Sequence, residues 1–199
     1  MKALNRALNI FSSALPLIML CICSGEIAVY VACAVVLHEC AHLVALKLFH
    51  GRIKKFRVAP FGFCIDYDAS TLSLLGELAV SSAGCFVNLT VSVTSLVLYR
   101  VFSLDFIIFG AVNVALGAVN LLPVYPLDGY KMLFVCLSMI FGPFIAERIA
   151  NFFGYISALA IFLVSSYLLL TSVWGVYPLL FSVYIFSSNV KNRQGSADF

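Results

Sequence analysis

Residues Ile27–Phe49 read IAVYVACAVVLHECAHLVALKLF. The run is long enough to cross a bilayer, for which about 20 apolar residues suffice. Its middle carries His38-Glu39-Cys40-Ala41-His42. Ionisable side chains inside lipid are costly, so they face protein or a polar cavity and mark a function. At a spacing of four, the two imidazoles leave one face of a helix, one turn apart. Two imidazoles so placed suit one Zn²⁺, and Glu39 beside them can take a proton from water. Cys40 points off that face. His50, two turns on and next to Gly51, reads as a solvated helix-end residue.

The rest of the chain is equally apolar. Of its 199 residues 63% are hydrophobic and 11% charged, with a mean hydropathy of +1.07. A soluble domain carries about 25% charged residues. The composition therefore excludes a water-soluble globule, and it excludes disorder, which needs high charge and low hydrophobicity. The net charge of +3 is spread between apolar runs, so no nucleic-acid partner is expected. The seven cysteines include no CxxC and lie almost wholly in apolar runs. They read as small buried apolar residues, not a disulfide framework.

Six spans are expected. The first is Ala7–Cys23, bent at Pro16, since no A-x-A cleavage site follows it. The second is the run quoted above. A basic cluster spans its end, Lys47, Arg52, Lys54, Lys55 and Arg57, then comes Val58–Ile65, which is too short to span and suits a strand or re-entrant hairpin. The third is about Leu74–Tyr99. The fourth runs from Leu104 to Leu122, breaks at Pro123-Val124-Tyr125-Pro126-Leu127-Asp128-Gly129, and resumes over Tyr130–Phe141. The fifth is Ile149–Leu170 and the sixth Trp174–Ser187, followed by a short polar tail. The fold class is thus an all-α polytopic membrane protein with about six transmembrane helices and a short re-entrant β-hairpin after helix two. A single membrane-embedded domain is expected over 1–199, with its core at about 27–141 and its last helices at 149–187. Six spans put all cations but Arg100 on one side, which makes both termini cytoplasmic.

Catalytic zinc keeps three protein ligands and one open position. The acidic candidates for a third are Glu26, Asp66, Asp68, Glu77, Asp105, Asp128 and Glu147. Most sit at helix ends, where capping or solvation explains them. Asp128 lies in the Pro-broken segment between two apolar stretches. Non-helical backbone at membrane depth requires surrounding protein or a water-filled cavity.

HECAH together with Asn120-Leu121-Leu122-Pro123-Val124-Tyr125-Pro126-Leu127-Asp128-Gly129 resembles the site-2 protease family of intramembrane zinc metalloproteases, peptidase family M50. Its pattern is HExxH on one helix and NxxPxxPLDG on a later one. Gly84 and Asn88 resemble the G-x-x-x-N of the helix between them. The chain looks most like the compact branch that includes stage IV sporulation protein FB, without a PDZ or CBS domain. It departs from the family at Tyr130 and Lys131, where a small residue and an Arg are common.

The resemblance implies His38, His42 and Asp128 as ligands of one Zn²⁺ and Glu39 as general base and acid. It implies Asn120 as a catalytic candidate that holds the substrate carbonyl or oxyanion, with capping of the helix break as its plainer role. Asn88 reads as a hydrogen-bonded strut between helices. The strand holding Val58, Phe61 and Phe63 is a candidate edge for an extended substrate, the plainer reading being an inert interfacial hairpin. The implied substrate is a transmembrane or membrane-associated protein: a pro-sigma factor, an anti-sigma factor or a remnant signal peptide. The implied setting is a bacterial cell membrane. Control then falls to a regulatory membrane protein or to prior trimming of the substrate.

Three other readings compete. A zinc-binding transporter predicts internal repeats and a continuous polar path, and neither is visible. A catalytically inactive scaffold predicts loss of Glu39 or a ligand. A metalloprotease with glutamate as third ligand needs Glu77 or Glu147 deep in a helix.

Overall fold

The computed structural model describes residues 25–51, 53–59, 62–67, 71–104, 106–171 and 176–197; of the two strands it describes the backbone. The expected first span, Ala7–Cys23, lies outside the described residues, as do Phe61, Asp68, Asp105 and Trp174. The elements in chain order are α1 (Gly25–Leu48), β1 (Ile53–Ala59), β2 (Gly62–Tyr67), α2 (Leu74–Phe102), α3 (Ile107–Asn120), α4 (Asp128–Phe141), α5 (Pro143–Thr171) and α6 (Val176–Ala197). Three stretches among the described residues are long and apolar enough to cross a membrane: Ile27–Leu48, Leu74–Phe102 and Pro143–Thr171. Large apolar side chains cover the outside, with Leu170 86%, Ile140 72% and Leu75 70% exposed. That is the surface of a protein solvated by lipid.

The cysteines show what burial means for such a chain. Cys85 is buried, but Cys33, Cys40 and Cys136 are exposed, and all four carry free thiols. The expectation of buried cysteines therefore fails for these three. An apolar side chain in lipid gains nothing by moving from the surface to the interior.

The chain divides into two compact units, the boundary falling between Val119 and Asn120. In the first, α1 ends in a left-handed cap. His50 has φ 57°, its N–H donates to the Lys47 carbonyl at 3.2 Å, and Gly51 N–H donates to Leu46 O at 2.9 Å. These two bonds satisfy last-turn carbonyls that a helix end leaves open. β1 and β2 pair antiparallel, from Ile53 opposite Tyr67 to Ala59 opposite Gly62, with Val58 opposite Phe63. The strands reach further than the apolar run Val58–Ile65, because ladder bonds join backbones and accept Lys54, Lys55 and Arg57 as readily as apolar residues. α2 opens on Ser73, whose hydroxyl accepts from Gly76 N–H at 3.1 Å. Ala45, Leu46 and Val80 pack α1 on α2, with Leu72 and Ala83 against them.

In the second unit, α4, α5 and α6 pack in sequence. α5 starts at Pro143 rather than the expected Ile149, since proline suits the first helical position. α6 runs to Ala197, past the expected end at Ser187. Helical backbone bonds do not require apolar side chains, so the polar segment continues the helix. Residues 121–127 form the expected break and include a cis Tyr125–Pro126 peptide. Val124 and Leu127 of this loop are buried with Ala158 of α5 and Ile185 of α6.

Candidate metal centre

His38 is 4% exposed and His42 is partly buried. One helical turn separates them, and their rings meet edge to face, centroids 4.8 Å apart and planes at 77°. Their Nε2 atoms lie 3.1 Å apart. A tetrahedral ion with Zn–N bonds of about 2.0–2.1 Å separates two ligand nitrogens by about 3.3 Å. The pair is thus spaced to grip one cation.

Both Nδ1 atoms are turned outward to partners on α2. His42 Nδ1 lies 2.7 Å from the Val80 carbonyl oxygen. A carbonyl only accepts, so Nδ1 carries the proton and Nε2 of the neutral ring carries the lone pair. Metal-bound histidines are commonly fixed in this way. His38 Nδ1 lies 3.1 Å from the side-chain amide of Asn88, which is fully buried. Between these two partners sits Gly84. A Cβ there would collide with His42 Nε2 and stand 2.6 Å from His38 Nε2. The missing side chain is the space at the metal-binding edges of both rings.

Val80, Gly84 and Asn88 repeat every four residues, so one stripe of α2 faces the HExxH pair. Sequence reading identified Gly84 and Asn88 as a pattern but missed Val80, whose backbone, not its side chain, does the work. The four-residue spacing was the available signal. Glu39 is partly buried, the neighbour of His38 on α1.

Asp128 belongs to the second unit. It is 9% exposed and is the first residue of α4, following Leu127 in extended backbone. The amino end of a helix favours a carboxylate through its dipole. Gly129 lets the chain fold back tightly, since a Cβ there would strike the carbonyls of Leu121 and Leu122. Tyr130, the departure from the family pattern, is accommodated: its hydroxyl donates to Asn151 Oδ1 at 2.8 Å and its ring meets Tyr125 edge-on. Asn189 of α6 donates to the Tyr125 carbonyl at 2.8 Å, giving the irregular backbone a partner. Asn120, the last residue of α3, is partly buried. Of the other acidic candidates, Glu77 lies in the first turn of α2 and Glu147 lies within α5. His50 is exposed at its cap. Of Val58 and Phe63 the strand backbone alone is described.

A helical membrane protein with a paired-imidazole centre is the class these features define. Comparison with known proteins narrows it. The model of peptidase family M50 matches residues 100–164, which include the Asn120–Gly129 segment. The chain is 29% identical over 136 residues to a zinc metalloprotease of Methanocaldococcus jannaschii, covering 65% of this chain and 40% of that protein. It is 32% identical over 108 residues to stage IV sporulation protein FB of Bacillus subtilis, covering 52% of this chain and 38% of that one. The matches thus span about two fifths of the length of these curated relatives. Among solved structures, the site-2 protease from Methanocaldococcus jannaschii superposes with a TM-score of 0.63 at 25% identity, over 82% of this chain and 76% of that one. In sequence and in fold, the chain is similar to the site-2 metalloproteases of family M50.

Proposed function

We infer that the chain is an intramembrane zinc metalloendopeptidase. It hydrolyses a peptide bond within or next to a transmembrane segment of a membrane or membrane-associated protein. The observation that carries this reading is the convergence of the His38 and His42 Nε2 atoms, each ring held from behind by α2. The relatives supply the zinc and the protease chemistry by name.

His38 and His42 would hold the ion, with Asp128 as the third ligand. Two imidazoles and a carboxylate are a donor set that could hold a metal ion, and three protein ligands leave a position open for catalysis. When bound, zinc supplies Lewis acidity toward water and the scissile carbonyl. Glu39 accepts a proton from the attacking water and delivers it to the leaving amine. Asn120 holds the substrate carbonyl. A helical substrate hides its peptide groups in its own hydrogen bonds, so the cleaved segment must unwind. The hairpin that holds Val58, Phe61 and Phe63 offers that segment a strand edge. Six spans with both termini cytoplasmic, in a bacterial cell membrane, agree with the cation distribution. The substrate class includes pro-sigma and anti-sigma factors.

Co-expression with single-pass and membrane-associated candidate substrates tests the reading. The wild-type chain should cleave one of them. Glu39→Gln should keep zinc and lose cleavage by roughly 10²–10⁴-fold, the usual contribution of general acid–base catalysis. Undiminished cleavage by that variant would defeat the protease reading.

A further inference from the structure

The two imidazoles are held differently, and the difference bears on how the site accepts a cation. The Val80 carbonyl fixes the His42 tautomer without ambiguity, because it can only accept. Asn88 can do either. Its amide group has a donor end and an acceptor end of nearly equal shape. In the structure the Nδ2 end faces His38 Nδ1 at 3.1 Å, and Oδ1 is buried without a hydrogen-bond partner among the described residues.

In that orientation Nδ2 donates to Nδ1. The His38 proton then sits on Nε2, the atom 3.1 Å from His42 Nε2, and that ring offers a cation no lone pair there. With the amide turned over, Oδ1 accepts from Nδ1–H and both Nε2 lone pairs converge. There is room for the turn. Asn88 faces Gly117 of α3, where even an added Cβ would stand 3.4 Å from Asn88 Cβ and 3.9 Å from Nδ2.

We propose that Asn88 is a positioning residue of the metal centre: its amide oxygen accepts the Nδ1 proton of His38 and so leaves the His38 Nε2 lone pair to the cation. The proposal rests on the reading of His38 and His42 as metal ligands and assigns to Asn88 more than helix packing. The acceptor function can be separated from shape. Asn88→Asp keeps the shape and offers oxygen at both ends. Asn88→Leu keeps the volume and accepts nothing.

The test is zinc affinity of the full chain purified in detergent, read by competition with a chromophoric chelator. The wild-type chain should bind zinc near one per chain; a wild type that binds none removes the metal reading itself, and this proposal with it. If the wild type binds, Asn88→Leu should bind roughly 10–100-fold more weakly, the usual effect of losing such a partner. Asn88→Asp should bind as tightly as wild type or tighter. Leucine binding as tightly as asparagine would overturn the proposal and leave the metal reading standing. So would aspartate binding at least tenfold more weakly than wild type, a comparison that still decides the matter if the leucine variant fails to fold.

Discussion

His38 and His42 approach within 3.1 Å at Nε2 with their rings nearly perpendicular. Each ring is clamped at its far nitrogen by α2, so the near nitrogens are presented together. Adding zinc should therefore stabilise the protein. Binding to the folded state alone contributes about 2.7 kcal/mol at a hundredfold excess over Kd. A thermal melt in detergent, with and without zinc after chelation, should show the midpoint rising with zinc. A midpoint unmoved by saturating zinc would contradict a metal centre here.

Gly84 keeps open the space at the two Nε2 atoms. Gly84→Ala inserts a methyl group there, an overpacking that costs about 1–3 kcal/mol. The expected result is a folded, helical protein from which most zinc is lost. Elemental analysis of the purified variant against wild type measures this. Full zinc content would show that the rings can move aside.

Asp128→Asn keeps the size of the side chain and removes its charge. If Asp128 is the third ligand, both zinc content and cleavage should fall. Glu39→Gln should lower cleavage alone. Measuring both quantities on both variants separates ligand from base. Equal zinc content in Asp128→Asn and wild type would exclude the aspartate as a ligand.

Asn189 and Tyr130 hold the loop before α4. Asn189→Leu removes the donor to the Tyr125 carbonyl and leaves a part-buried acceptor unmatched, at about 1–3 kcal/mol. Tyr130→Phe removes the bond to Asn151 and should cost about 0.5–1.5 kcal/mol. Denaturant titration in detergent should rank them in that order. A neutral Asn189→Leu would mean that the loop is held by its apolar contacts with Ala158 and Ile185 alone.

Much was legible in the linear chain because it depends on short range. Apolar runs mark helices where lipid is the solvent. A spacing of four puts His38 and His42 on one face through helical geometry alone, and two prolines break the chain before Asp128. Boundaries were less legible where apolarity and backbone bonding part company, as at Pro143 and after Ser187. What only the folded chain decided is which groups stand behind the imidazoles. Asn88 reaches His38 across 50 residues of sequence, and Asn189 reaches Tyr125 across 64. Val80 acts through a carbonyl that every residue possesses. Such partners follow from how two helices cross and in what register, and no local pattern of side chains encodes that.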